Sequence, residues 1–269
     1  MSLFFTNAVS DRVDHGSGAG LDNLPAGAFT LAAWVYRTAA DLGRNVAYKG
    51  TGAYPNFSWV AVASDGSAGT LRMFQPRGTQ DCSFTSNTSA LPADEWRFIA
   101  WAYDVADTSA SQVQMYTGSR TVSVAEAGYT AQQAGIGTSF DESAGNLLIG
   151  NADLGGSFAS AFPGRIGRVG IFNSKLTLAQ LQRLQFAPAW MWAGANTKLL
   201  SDYHGTGTQP DYSGNGSAGT VTGATAADHM PLGPPWGFDA PDPQLLTPPP
   251  DLHATLGMFD PEMKALCWF

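Results

Sequence analysis

As far as Phe172, the apolar residues of this chain fall in short runs separated by Gly, Pro, Asn, Asp and Ser, the pattern of strands joined by tight turns. Leu3–Val13 reads as an opening strand, followed by a Gly/Ser/Asp loop. Phe29–Tyr36, FTLAAWVY, reads as a strand able to bury both faces. Val46–Lys49, Phe57–Ala63 and Leu71–Phe74 are further strands, punctuated by Gly50, Gly52, Asp65-Gly66 and Pro76-Arg77-Gly78. Trp96–Tyr103, Val113–Thr117 and Leu147–Gly150 continue the series. Ile166, Arg168, Gly170 and Phe172 then alternate with Gly167, Val169 and Ile171 in a largely buried strand. The period changes after the turn at Asn173-Ser174. Thr177 and Gln180 form a capping box, and Leu178, Leu181 and Leu184 supply the apolar face of one short helix. Trp34, Trp96, Ile99, Ile166, Val169, Ile171, Leu181 and Leu184 are expected to form one continuous core.

The same segments carry motifs. Gly164, Ile166, Val169, Ile171, Phe172, Asn173, Leu176, Thr177, Gln180 and Leu181 follow the pattern G-x-I-x-x-V-x-I-[FY]-N-x-x-L-[ST]-x-x-[EQ]-[IL]. Phe29, Thr30, Leu31, Trp34 and Val35 fit F-T-[IL]-x-x-W-[VF], and Trp96, Ile99, Ala100, Tyr103 and Asp104 fit W-x-x-[IV]-A-x-x-Y-[DN]. Leu147–Gly150 fits L-x-I-G. As a set they resemble the laminin G-like (concanavalin A-like) family over residues 1–232. The resemblance implies an all-β fold: a two-sheet antiparallel jelly-roll sandwich with one short helix. Asp211, Ser213, Gly214, Asn215, Gly216, Gly219, Thr220 and Gly223 resemble the family's D-x-S-G-N-G-x-x-G-T-x-T-G signature, which often opens such domains. Here it follows the helix, so the segment is expected to pair back onto the sandwich in a rearranged strand order, a cheap change where termini lie close.

Residues 233–269 read as an extended Pro-rich C-terminal arm, semi-rigid over its Pro-Pro and Pro-Pro-Pro runs. Asp260-Pro261 opens a short helix. The arm ends in Met258, Phe259, Leu266, Trp268 and Phe269, apolar enough to predict docking on its own sandwich or on another subunit.

Composition supports this picture. Charged residues are 13% and Gly numbers 31, a profile of strands and turns. A net charge of −8 with no Lys/Arg cluster argues against nucleic acid and against anionic membrane surfaces. No apolar run reaches membrane-spanning length, so no membrane insertion is expected. The N-terminal residues show no export signal. The expected location is a virion surface after synthesis in a host cytoplasm, with an extracellular location as the alternative. Cys82 and Cys267 are expected to be two separate buried thiols rather than a bridge.

Catalytic chemistry finds little support. A sandwich glycosidase commonly aligns its carboxylates as E-x-D-x-x-E, and no such string occurs. Asp94-Glu95 and Asp141-Glu142 are adjacent pairs, expected to be solvated loop charges. His15, His204, His229 and His253 show neither triad nor zinc spacing. No cofactor is expected. Calcium is the alternative, at Asp104, Asp107, Asp153 and Asp211, where ordinary turn chemistry competes with it. Sugar rings stack on flat apolar faces, and the candidates are Trp59, Trp190, Trp192 and Trp236. Trp34, Trp96 and Trp101 lie in strand patterns and belong to the core. The expected function is a non-enzymatic structural or adhesive virion protein of a tailed phage, as capsid decoration or tail-associated subunit. Its partners would be other virion subunits, a second copy of itself, or cell-surface glycans. The alternatives are a bacterial carbohydrate-binding module of the laminin G class and, third, a glycan-active enzyme.

Overall fold

The computed structural model describes residues 2–228 apart from 7, 9, 39–43, 53–56, 64–68, 159, 189 and 190. The arm, its apolar residues Met258, Phe259, Leu266, Trp268 and Phe269, and also Cys267, lie outside the described residues. Strands are numbered in chain order. Sheet I runs β10 (Ala125–Glu126), β9 (Val113–Ser119), β8 (Trp96–Asp104), β3 (Ala28–Arg37), β13 (Pro163–Phe172), β1 (Ser2–Thr6) and β16 (Thr225–Ala227), with β14 (Thr197–Asp202) also pairing β13. Sheet II runs β11 (Tyr129–Gln133), β7 (Cys82–Ser86), β6 (Leu71–Gln75), β5 (Phe57–Ala63), β4 (Arg44–Gly50), β12 (Asn146–Ile149), β2 (Arg12–Asp14) and β15 (Thr220–Thr222). All pairings are antiparallel, which gives the expected jelly-roll sandwich.

The opening strand is two strands, not one. β1 pairs β13 in sheet I, whereas β2 pairs β12 in sheet II. Asp11 makes the crossing: its Oδ2 accepts from the Thr6 backbone N–H at 2.6 Å and from the Thr6 hydroxyl at 2.8 Å. A local turn signal of this kind is invisible to an apolar-run count.

The predicted single core is two cores on opposite faces of sheet I. Ile99, Ile166, Val169 and Ile171 face sheet II, where Val46, Trp59, Met73, Phe84 and Ile149 meet them. Trp34, Trp96 and Leu181 belong to a second cluster outside sheet I, with Phe98, Phe172 and Trp192, and Leu184 packs against it. Strict alternation would place Ile166 with Phe172, on the outer face. A register shift between Ile166 and Arg168 in the β13–β3 pairing turns Ile166 inward with Val169.

Helix α1 (Leu178–Phe186) covers the outer cluster. Its capping box is present, with the Thr177 N–H donating to Gln180 Oε1 at 2.8 Å. Its buried face differs from the expected leucine stripe: Leu178 is exposed and Gln185 is buried. Gln185 Oε1 accepts from Val124 N–H at 2.6 Å, and its Nε2 donates to Ser119 O at 2.7 Å and Val122 O at 2.8 Å. A polar residue here ties α1 to the β9–β10 turn. After the helix, Trp192 packs so close to β13 that a Cβ on Gly170 would lie 2.7 Å from its ring.

The segment after α1 does pair back. β15 extends sheet II beside β2, and β16 extends sheet I beside β1. Among the described residues, no helix is long and apolar enough to cross a membrane.

Candidate functional site

The outer face of sheet I is closed by α1 and Trp192. The outer face of sheet II carries two adjoining clefts of about 440 and 260 Å³ that share Asp14 and Asn146. Strand alternation supplies the lining. Val13 points into the core, so Arg12 and Asp14 on either side of it point out. Leu147 points in and Asn146 out, and Thr220 and Thr222 flank Val221 in the same way. The adjacency of β2 and β12 is set by backbone bonds, His15 N–H to Leu147 O and Leu147 N–H to Gly16 O, each 2.9 Å. Buried Lys49 pins the turn before Asn146, donating to Gly145 O at 2.5 Å and to Asp22 at 3.0 Å.

Asp14 is held by two donors: Gly16 N–H at 2.8 Å to Oδ1 and Asn146 Nδ2 at 2.9 Å to Oδ2. Asp153 and Phe158 border the second cleft. Phe158 is half-buried against Tyr48, Leu148 and Ala152. The Arg12 guanidinium sits 4.0 Å from the Phe158 ring centroid. Its Nη1 donates to Ser10 O at 2.9 Å, and its buried Nε has no hydrogen-bond partner among the described residues. The clefts thus gather hydroxyls, an amide, two carboxylates, a guanidinium and one aromatic ring, a set suited to many directed bonds with a hydroxyl-rich ligand.

The segment that begins with the D-x-S-G-N-G signature supplies Ala218, Thr220 and Thr222 to the first cleft, and the signature itself folds the turn that leads to them. Asp211 Oδ1 accepts from Leu200 N–H at 3.1 Å and Ser213 N–H at 2.9 Å, and Oδ2 accepts from Ser217 N–H at 3.0 Å. Burial alone would raise its pKa, yet those bonds hold it below the usual carboxylate value. Beyond Ser217, a Cβ on Gly219 would stand 2.5 Å from Val13 and 2.7 Å from His15, so only glycine lets this segment close onto β2. His15 lies beneath, with Nδ1 2.7 Å from Ser217 O and Nε2 3.0 Å from the Tyr203 hydroxyl. Ser217 O can only accept, so Nδ1 carries the proton and Nε2 accepts from Tyr203. Burial lowers the His15 pKa below 6.5, against the opposing pull of the Ser217 bond and the Asp211 and Asp14 carboxylates.

The residues singled out from the sequence fall elsewhere. Trp59 is wholly buried between the sheets and stacks near Phe29, so it offers no face to a sugar. Trp192 is buried in the outer cluster, its Nε1 donating to Leu184 O at 2.9 Å. Trp190 and Trp236 lie outside the described residues. The four carboxylates weighed for calcium organise turns. Asp104 accepts from Ala106 N–H at 2.9 Å, Asp107 from Ser109 N–H at 2.9 Å, and Asp153 from Gly156 N–H at 2.6 Å; Asp211 acts as described. Among the described residues, no group of three or more His, Cys, Asp or Glu side chains is placed to hold a metal. Glu142 is buried rather than solvated, whereas Asp141 is exposed. Cys82 is buried, and burial pushes its thiol up to about 12. Arg12, Asp14, Asn146, Phe158 and Thr222 escaped the sequence reading, and Thr220 was read only as part of a family signature, because these residues come from distant segments. The R-V-D and T-V-T alternations were the available signal.

The laminin G-type family model described as the concanavalin A-like lectin/glucanases superfamily matches residues 8–182. The chain belongs to this superfamily. Ala218, Thr220 and Thr222, which line the first cleft, lie beyond the matched residues. No curated protein sequence matches the chain. Among solved structures, it resembles a Bacteroides ovatus protein described provisionally as carbohydrate binding, with TM-score 0.59 and 16% identity. That match covers 85% of this chain, which spans 59% of the other's length. NanB, solved with Optactamide, matches with TM-score 0.51 and 13% identity over 70% of this chain and 27% of its own. The CBM40 domain of a Ruminococcus gnavus IT-sialidase, solved with α2,3-sialyllactose, matches at TM-score 0.47 and 13% identity over 68% of this chain and 97% of its own. These likenesses are of fold: a lectin-like jelly roll.

Proposed function

We propose that this domain binds glycans without cleaving them, at the paired clefts on the outer face of sheet II. The observation that carries the reading is the junction of Asp14 and Asn146 between two clefts, beside the Arg12–Phe158 stack. Two carboxylates, Asp14 and Asp153, outweigh the single guanidinium of Arg12, so the clefts suit a neutral sugar rather than an acidic one. Both carboxylates already accept backbone or amide hydrogens. That suits hydrogen-bond recognition better than the proton donation a glycosidase acid performs. Asn146→Ala and Asp14→Ala should each weaken binding about 10-fold on a glycan array followed by calorimetry, the cost of losing one or two directed hydrogen bonds to the ligand. Unchanged binding in both, or release of reducing ends from polysaccharide, would overturn the reading.

The setting we propose is the surface of a tailed-phage particle, with the apolar arm residues Met258, Phe259, Leu266, Trp268 and Phe269 as the attachment. Its support is the sequence of the arm. Copurification of the chain with particles, lost on deleting 251–269, is the expected result. Glycan binding by a chain that never associates with particles would favour a free carbohydrate-binding module instead.

A further inference from the structure

β14 is the longest strand with a single described neighbour: 6 residues, against 5 in β11, 2 in β10 and 3 each in β15 and β16. β11 is bulged at its start, and the other three are short, two devices that keep sheet edges from pairing. β14 has neither device on its free side. Its charges stand at Lys198 and Asp202, and Leu199-Leu200-Ser201 between them carries neither charge nor proline. A strand of this kind is a template for an extended segment of another chain.

The backbone groups that such a segment would take are already engaged. Alternation turns the N–H and C=O of Leu200 away from β13, while Leu199 and Ser201 face it. The Leu200 N–H donates to Asp211 Oδ1 at 3.1 Å, and Leu200 O accepts from the Tyr212 N–H at 2.7 Å. Asp211 and Tyr212 thus supply the acceptor and the donor that one residue of a neighbouring strand would supply, with the acceptor taken from a side chain. Lys198 O accepts from the Ser213 hydroxyl and from Asn215 Nδ2, each at 3.2 Å, and Asn215 Nδ2 also donates to Thr197 O at 2.9 Å. The Ser201 hydroxyl donates to Pro210 O at 3.1 Å. No residue from Pro210 to Ser217 lies in a strand, so the segment that makes these bonds offers no new ladder beyond itself. A further strand would satisfy β14 equally well but would move the open edge outward by one strand; side chains end it.

We propose that the D-x-S-G-N-G segment is an edge cap: Asp211, Tyr212, Ser213 and Asn215 occupy the bonds of β14 and keep a strand-pairing surface closed to extended segments of other chains. The test is native-state hydrogen exchange on the full chain, with a fluorescent peptide of the β14 sequence, residues 197–202, as the probe for an open edge. In the wild type the Leu200 amide should be protected and the peptide should not bind. Asp211→Ala should speed exchange at Leu200 about 10-fold or more while Leu199 and Ser201 keep their protection. The same variant should capture the peptide in fluorescence polarisation and associate with rising concentration in sedimentation velocity. Should Asp211→Ala fail to fold, Ser213→Ala combined with Asn215→Ala, which opens the Thr197 and Lys198 carbonyls and leaves Asp211 in place, should capture the peptide instead. Exchange that rises equally at all three amides marks general destabilisation and overturns the proposal. So does a folded variant that neither captures peptide nor associates more than the wild type, or a wild type that already takes up the peptide. These outcomes do not depend on glycan binding, which the cleft variants read separately.

Discussion

His15 shows how one side chain joins distant pieces of the chain. It directly follows the strand that carries Arg12 and Asp14, and its ring nitrogens reach Ser217 and Tyr203. The neutral tautomer satisfies both, and burial holds the pKa below 6.5. The linkage follows directly. The unfolded chain takes up a proton as pH falls through about 6.5, while the folded chain resists until lower pH. Stability from this residue is therefore complete above that point and is lost progressively below it. The melting temperature should fall between pH 7 and 5, and His15→Gln should flatten that part of the profile. A profile as steep in the variant as in the wild type would assign the acid sensitivity to other groups. Asp211 illustrates a different lesson: a carboxylate in a Gly/Asn/Ser-rich loop looks like a cation ligand, yet its oxygens receive three backbone N–H groups of its own fold.

Helix α1 is held to sheet I by two kinds of contact. Leu181 and Trp192 supply apolar burial, and Gln185 supplies hydrogen bonds to three backbone groups of the β9–β10 turn. Gln185→Ala would strand buried backbone donors and acceptors, at a cost of about 1–3 kcal/mol in chemical denaturation. Leu178→Ala, on the exposed side, should cost under about 0.5 kcal/mol. If the two substitutions cost the same, the leucine stripe rather than the amide anchors the helix. The chain leaving α1 is fixed by Arg168, buried on the same outer face. It pairs both Asp202 oxygens, at 2.6 and 3.0 Å, and donates to Ala187 O at 2.7 Å. An arginine in an apolar alternation thus marks where one element must be tied to another.

The molecule is organised around sheet I, which is buried on both faces. Ile171 faces sheet II and Trp34 faces α1. Each substitution to Ala should cost about 2–5 kcal/mol. Because the side chains lie in separate clusters, the double variant should cost the sum to within about 0.5 kcal/mol. A large departure from additivity would mean that the two cores are one cooperative packing unit. In sheet II, β6 and β7 are buried on one face and alternate buried with half-exposed residues, whereas β3 of sheet I is buried on both faces and runs largely apolar. That contrast separates FTLAAWVY from LRMFQ and CSFTS in the chain itself.

Local physics was legible in the amino-acid order. Apolar runs and turn residues located β3, β8, β9 and β13 of sheet I and β4, β5, β6 and β12 of sheet II, but not β7 or β11; the Thr177–Gln180 pair located the helix start, and the motif set identified the family. Each of these depends on residues close in sequence. What required the tertiary structure depends on which strand neighbours which. Leu3–Val13 divides between sheets because Asp11 turns the chain, and Ile166 faces inward because of one register shift. Trp59 and Trp192 are core residues, although a tryptophan near polar loops reads equally well as a sugar platform. The clefts exist only because β2, β12 and β15 are adjacent, and their residues come from segments as distant in the chain as Arg12 and Thr222. Alternation along a strand states which side chains share a face; only the order of strands in the sheet states which faces share a site.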